Sequence, residues 1–199
     1  MPIAINGSGT VTGVSVGGLP DGIVDTDMLA ANAVTTAKAS GSVKGITMAD
    51  QWRVAADFTP SQASTIASNW ERNDTVFSQI GTGMTESSGI FTFPQTGIYK
   101  VTVFYGGYKS SGSSSYSGIQ IRVSSDSGSS YSNAAASYQS IIGIGTNPHF
   151  SGVTDTITDV TNASTFRVKL LIDRNAETVF FGSTAGNYTG VTFIRLGDT

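Results

Sequence analysis

The fold is indicated first by residues 91–104, which read FTFPQTGIYKVTVF. The first three residues of this stretch alternate apolar and polar side chains, and residues 94–97 carry the proline and glycine of a turn. A second alternating run follows at residues 98–104. Alternation with period two places successive side chains on opposite faces of a strand. The stretch therefore predicts two strands joined by a tight turn.

The second of these strands has two different faces. The apolar face, suited to the interior of a sandwich, carries Tyr99, Val101 and Val103. The opposite face is mixed and carries Lys100, Thr102 and Phe104. Because it includes an aromatic ring, the mixed face should not simply face water.

Similar short apolar segments recur, separated by Gly, Ser and Asn turns. Further strands are predicted at residues 119–123, 166–172, 178–181 and 188–196, with a hairpin connection at residues 173–177. Residues 55–70 have room for a helical turn at most, because Pro60 interrupts them. Regular short strands indicate an all-β fold, an antiparallel sandwich or barrel.

The aromatic residues are unevenly distributed, because the 2 Trp, 7 Tyr and 10 Phe all lie at or after Trp52. A segment without aromatics can hardly close a core alone, so we predict an N-terminal arm or stalk at residues 1–50 and a head domain at residues 51–199. A short helix is expected after residues 25–27, which offer N-cap oxygens. The apolar arm residues expected to contact partner chains are Val24, Met28, Leu29 and Val34.

Composition excludes several classes of function. The net charge is −3 with only 11 Lys and Arg, too few for a broad nucleic-acid-binding face. No apolar run has the length of a membrane span, and residues 1–10 lack the features of a secretory signal. The chain has no cysteine, so no disulfide or thiolate metal site is expected.

The stretch that opened this section also resembles a family signature. Phe91, Gly97 and Tyr99 match the pattern of the globular head of complement component one-q, which shares a jelly roll with the tumour necrosis factor (TNF) superfamily. Two valines replace the pattern's later aromatics and Met84 its upstream aromatic, while residues 187–194 resemble the closing strand. The resemblance covers residues 52–199 and implies a jelly-roll head that forms a homotrimer. By position, the residues implied to line the threefold axis are Lys100, Thr102, Phe104, Tyr188, Thr192 and Ile194.

The arm has a resemblance of its own. Residues 24–38 read VDTDMLAANAVTTAK and are similar to the Ala, Val, Thr and Lys-rich shaft and attachment segments of bacteriophage fibre proteins. The collagen repeats of complement-like proteins are absent. The resemblance implies a virion protein assembled in the host cytoplasm, joined to capsid or tail proteins through residues 1–50.

Catalytic chemistry has little support in the sequence. The only histidine is His149, and no nucleophile-elbow, dinucleotide or phosphate-loop motif occurs. Carboxylate pairs such as Asp173 with Glu177 leave a glycan hydrolase open, and Asp155 with Asp159, in a threonine-rich loop, leaves calcium open. We expect no enzyme activity, cofactor or metal.

Tyrosines near serine-rich segments suggest a second function. Residues 109–117 and 124–132 read as polar loops, either merely solvated or placed together at one end of the sandwich to contact a partner. The tyrosines considered for stacking on a sugar are Tyr105, Tyr108, Tyr116 and Tyr131. The leading hypothesis is a structural virion protein, and the alternative is an adhesin that binds a host surface glycan.

Overall fold

Thirteen strands lie within residues 45–199, the part of the chain that this computed structural model describes, and that part contains no helix. In chain order the strands are β1 (Ala49–Val54), β2 (Ala56–Phe58), β3 (Ser64–Thr65), β4 (Trp70–Arg72), β5 (Thr85–Ser87), β6 (Ile90–Thr92), β7 (Gly97–Tyr108), β8 (Ser114–Ser124), β9 (Ser132–Ile141), β10 (His149–Val160), β11 (Arg167–Arg174), β12 (Val179–Ser183) and β13 (Gly190–Gly197).

The strands pair antiparallel into two sheets. Sheet A has the order β2-β12-β7-β13-β1-β4, and β10 pairs with the other edge of β7. Sheet B has the order β5-β6-β11-β8-β9, and β3 also pairs with β11. The buried apolar side chains of both sheets form one core between them. The predicted all-β jelly-roll sandwich is confirmed.

Strand β7 has the two faces that its sequence predicts. Its burial alternates residue by residue along all twelve positions. Tyr99, Val101 and Val103 are completely buried, while Thr102 and Phe104 lie half-buried on the opposite face. The interior assignment is therefore confirmed, and a central strand with one buried face anchors the register of sheet A.

The turn before β7 explains the glycine of the family pattern. Gly97 has φ of 145°, a backbone conformation that residues with a Cβ rarely adopt. A Cβ there would also lie 2.5 Å from the Arg195 Nε and 2.6 Å from the Gly197 carbonyl oxygen. Conformation and close approach both require glycine, so this turn packs tightly against the last strand.

Aromatic rings from both sheets form the centre of the core. The Phe91 ring lies 5.7 Å from Trp52, 5.1 Å from Trp70 and 5.2 Å from Phe193. Phe91 is fully buried. Burying large rings supplies most of the apolar area that holds such a domain together, so the core accounts for the concentration of aromatics after residue 51.

One carboxylate is buried at the edge of this core. Asp50 has no exposed surface. Its oxygens accept hydrogen bonds from Trp52 Nε1 at 3.0 Å, from Arg72 Nε at 3.0 Å and from the Met84 backbone N–H at 2.7 Å. Because a buried charge is costly unless it is paired and hydrogen-bonded, these bonds tie β1 to β4 and to the segment before β5.

The structure corrects the predicted hairpin at residues 173–177. Strand β11 lies in sheet B and β12 lies in sheet A, and the two do not pair. The connection therefore crosses from one sheet to the other. Turn composition identifies a change of direction but not which sheet receives the next strand.

Three other local predictions also change. The helical turn allowed at residues 55–70 is absent, and β2 and β3 lie there. The threonine-rich residues around Asp155 and Asp159 belong to strand β10 and not to a loop. The compact unit begins at Lys44, and Met48 is fully buried, so a head starting at residue 51 would cut the first strand.

The two ends of the sandwich differ in what they carry. Ala49 pairs with Ile194 and Gly197 with Ile98, so both ends of residues 45–199 lie near the start of β7. We call this the terminal end. The opposite end, where β7 finishes at Tyr108, is the distal end, roughly 27 Å from Lys100 at 3.4 Å per residue.

The serine-rich segments lie at opposite ends. Strand β8 runs from the distal end to the terminal end, so residues 109–113 precede it distally and residues 125–131 follow it terminally. In the second segment, Ser124 and Ser130 hydroxyls donate to the Asp126 carboxylate and hold its pKa well below the usual range. The arrangement in which both loops share one end is wrong, and the second segment is a structured turn.

Alkaline pH is expected to destabilise this domain through its buried tyrosines. Burial raises the pKa of Tyr105 above its usual 10.0, so the folded state holds a proton that the unfolded state releases near pH 10. The contribution of Tyr105 to the free energy of unfolding is therefore complete below pH 10, and it is lost as the pH rises through the folded pKa. In urea unfolding from pH 9 upward, the Tyr105→Phe variant should lose stability with pH less steeply than the unaltered chain. Parallel slopes would contradict this role.

Candidate assembly face

The outer face of sheet A is built by three paired strands. Thr102 of β7 lies between Thr192 of β13 and Asp155 of β10. One step toward the terminal end, Lys100 pairs with Ile194 on one side and Ile157 on the other. One step toward the distal end, Phe104 lies between Gly190 and Val153. The structure thus brings Lys100, Thr102, Phe104, Thr192 and Ile194 together on one surface, while Tyr188 precedes β13 and lies farther toward the distal end.

This face exposes large apolar side chains. Val153 and Ile157 are 63% and 64% exposed, and Leu196 is 51% exposed. Together with the half-buried Phe104 and Ile194, Val153 and Ile157 place apolar side chains on both sides of the polar row of Thr192, Thr102 and Asp155. Large exposed apolar side chains grouped on one sheet face are typical of interaction sites in soluble proteins.

The outer face of sheet B has the opposite character. Gln120 of β8 donates to the Tyr138 hydroxyl at 2.6 Å and to the Asp173 carboxylate at 3.0 Å. Arg122 donates to Gln120, and the Lys169 ammonium lies 4.0 Å from the centre of the Tyr131 ring. Polar side chains bonded to one another suit a solvated face.

The polar groups on the outer face of sheet A largely satisfy one another. The Lys100 ammonium lies 3.1 Å from the Asp155 carboxylate, so their charges offset. The Gln51 amide donates to the Thr192 hydroxyl at 2.8 Å. A face whose charges are paired loses less free energy when it is removed from water than one with isolated charges.

Gly190 is a residue of this face that sequence reasoning missed. A Cβ at Gly190 would lie 2.7 Å from the Phe104 ring and 2.3 Å from the Trp52 carbonyl oxygen. The missing side chain leaves room for the end of the Phe104 ring next to Gly190. The family-like closing strand contained this glycine, but only the register with β7 explains it.

One of the four tyrosines considered for sugar contact is excluded by burial. Tyr105 is 2% exposed, and its hydroxyl donates to the Ser137 carbonyl oxygen at 2.9 Å. It belongs to the inward row of β7 and packs at 6.0 Å from Phe180. A core residue cannot stack on a glycan, so Tyr105 is a packing residue.

The other three tyrosines do not form one site. Tyr108 lies on the outer face of sheet A at the distal end. Tyr116 packs edge-to-face on Tyr138 at 5.7 Å, on the side of sheet B. Tyr131 lies at the terminal end, and burial raises the pKa of its hydroxyl. A ligand contacting all three would have to span both sheets and both ends.

A cluster of rings at the distal end was not predicted as a group. The Phe181 ring lies 5.6 Å from Tyr108, 5.3 Å from His149 and 6.1 Å from Tyr188. It borders a cavity of about 560 Å³. Among these residues, the sequence predicts only Tyr108 as a sugar contact. The other three come from β10, β12 and the segment before β13, which are distant from Tyr108 in the chain.

The acidic residues considered for calcium and for glycan hydrolysis all lie within residues 45–199. No group of three or more His, Asp or Glu side chains there could hold a metal ion. Asp155 and Asp159 are four residues apart on an extended strand, about 13 Å, which is too far to share a calcium ion. The Asp173 carboxylate accepts hydrogen bonds from the Gln120 amide and the Tyr138 hydroxyl. The predicted attachment residues Val24, Met28, Leu29 and Val34, and the predicted arm helix, lie outside the described residues.

Within residues 45–199 there is also no helix that is long and apolar enough to cross a membrane.

Known proteins share the fold of this chain but not its sequence. No protein-family model and no curated protein matches it. Among solved structures, Eiger TNF from S. frugiperda is similar with a TM-score of 0.61 and 12% identity, over 78% of this chain and 95% of that chain. Murine APRIL at pH 8.5 is similar with a TM-score of 0.54 and 13% identity, over 75% and 98%. The TNF-like head is therefore confirmed as a fold.

Proposed function

We propose that this protein is a structural virion protein of a bacteriophage, a homotrimeric fibre or knob attached to capsid or tail through its N-terminal arm. The observation that carries the trimer is the outer face of sheet A, which exposes Val153 and Ile157 while the outer face of sheet B is polar. The similarity of the arm to fibre attachment segments carries the bacteriophage assignment.

The trimer would form because three such faces are better buried than solvated. Removing apolar surface from water contributes about 25 cal/mol per Å². A closed threefold arrangement lets each copy bury this face without leaving an edge open for further addition. The Lys100–Asp155 pair lowers the electrostatic cost of that burial.

Attachment would couple the arm to a partner. Residues 1–50 contain apolar side chains but no aromatic residue, so the arm gains most by burying them on other virion proteins. Binding to a partner then stabilises the bound state by mass action. The head would form the trimer, and the arm would attach it to the virion.

Deleting residues 1–43 should separate these two roles. The compact unit begins at Lys44, so the shortened protein should keep the melting temperature of the full chain and should remain a homotrimer. It should fail to join particles in a complementation assay, where the full chain serves as the control. Normal incorporation of the shortened protein would contradict the attachment role.

A second candidate function is that of an adhesin for a host surface glycan. The observation that favours it is the aromatic cavity at the distal end, which lies away from the terminal end of residues 45–199. This candidate uses the same trimer and adds recognition to it.

A further inference from the structure

The cavity at the distal end combines rings with uncharged polar groups. We call it the distal groove; it has a volume of about 560 Å³. The lining residues that matter below are Gly106, Gln139, His149, Ser151, Phe181 and Tyr188. We propose that the distal groove binds a neutral saccharide. The inference rests on the second candidate function and names the site that would serve it.

The rings form a continuous apolar wall. Phe181 meets His149 at an interplanar angle of 78° and Tyr188 at 63°, while Tyr108, which does not line the cavity, supports Phe181 from outside it with its ring tilted by 33°. An adjoining cavity of about 400 Å³ is also lined by His149, Phe181 and Tyr188. Rings held in place by one another lose little conformational freedom on binding, which favours stacking with the C–H face of a sugar.

The polar groups of the groove are available to a ligand. Within residues 45–199, the side chains of Gln139, His149, Ser151 and Tyr188 make no hydrogen bond to another group. Asn187 donates from its amide nitrogen to Gln51, which leaves its carbonyl oxygen able to accept. Amides, hydroxyls and an imidazole offer both donors and acceptors, as the hydroxyls of a sugar require.

The charge of the groove selects among ligands. The residues that line the 560 Å³ cavity include no Asp, Glu, Lys or Arg. The adjoining cavity is lined by one carboxylate, Asp57, which already accepts from the Gly182 N–H at 2.8 Å. A phosphate, sulfate or sialic acid would therefore lose its hydration without finding a counter-ion. A neutral saccharide bears no such cost.

Gly106 provides a way to close the groove without disturbing the core. A Cβ built there would make only ordinary contacts, 3.5 Å to a Phe181 ring atom and 3.8 Å to the nearest carbonyl oxygens. A larger side chain would extend over the Phe181 ring and occupy the space of a stacked sugar. Gly106→Leu is therefore a blocking variant, and Phe181→Ala is the complementary variant that removes the stacking ring.

The test uses the full chain and defined sugars. Saturation-transfer NMR with millimolar glucose, galactose, mannose and N-acetylglucosamine, and with oligosaccharides containing them, should show binding of at least one neutral sugar. Sialylated and phosphorylated sugars serve as charged comparators and should bind more weakly. Gly106→Leu and Phe181→Ala should each weaken binding about tenfold or more, while Tyr116→Ala, on the side of sheet B, should leave it unchanged.

Several results would overturn the saccharide site. The first is that no neutral sugar binds, and the second is that charged sugars bind more tightly than neutral ones. The third is that Phe181→Ala and Gly106→Leu both bind with the affinity of the unaltered chain. The oligomeric mass of each sample is measured in parallel. A trimer that binds no sugar removes the distal site alone, whereas a monomer that binds sugar removes the trimer and leaves the site.

Discussion

Replacing Asp50 with alanine is expected to lower the free energy of unfolding by about 2–5 kcal/mol, because a buried acceptor of several hydrogen bonds is lost, although its ion-pair partner Arg72 is 37% exposed. The carboxylate has no exposed surface and binds Arg72 through two nitrogens, at 3.0 and 3.2 Å. Without it, the Trp52 indole N–H and the Met84 backbone N–H lose their acceptor, and each buried unsatisfied donor costs about 1–3 kcal/mol.

The control is Glu177→Ala, which removes a carboxylate at an exposed position outside the outer face of sheet A. Surface substitutions of this kind usually stay within about 0.5 kcal/mol. Urea denaturation followed by tryptophan fluorescence measures both variants, and both Trp52 and Trp70 pack near the affected site. A loss for Asp50→Ala no larger than that of the control would show that the carboxylate does not hold β1 and β4 together.

Replacing Thr102 with arginine should convert the proposed trimer into a monomer. Thr102 lies at the centre of the outer face of sheet A, between Thr192 and Asp155. A threefold axis there would bring three added guanidinium groups together in an environment with little water, and like charges held close repel strongly. In the monomer the long side chain can reach solvent, so the fold itself should persist.

Thr85→Arg provides the control for this substitution. Thr85 is exposed in β5 of sheet B, so the same change adds the same charge outside the proposed interface. Circular dichroism should be unchanged in both variants, while the mass should fall only for Thr102→Arg. Dissociation by Thr85→Arg, or a trimer that survives Thr102→Arg, would place the interface elsewhere.

The core of the fold could be predicted because local chemistry and tertiary position agree there. Gly97 has the backbone conformation that its place in the motif requires, and the alternation from Tyr99 to Val103 matches the burial of β7. The same period extended by two residues would have placed Tyr105 inside. The sequence alone favours a strand that ends at Phe104 and so places Tyr105 at the surface, whereas β7 continues to Tyr108.

The distal groove could not be predicted because its parts are distant in sequence. His149 and Phe181 meet only because β10 and β12 both pair with β7 near Tyr108. The crossing at residues 173–177 decides that β12 joins sheet A. A single sequence carries no signal for such pairings, since turn residues specify bends and not partners.

The oligomeric mass of the full chain in solution tests the central claim most directly. Native mass spectrometry or sedimentation equilibrium at micromolar concentration should give about 62 kDa, three times the chain mass of 20.6 kDa. A single species of 20.6 kDa under the same conditions would contradict the trimer and the role of the outer face of sheet A.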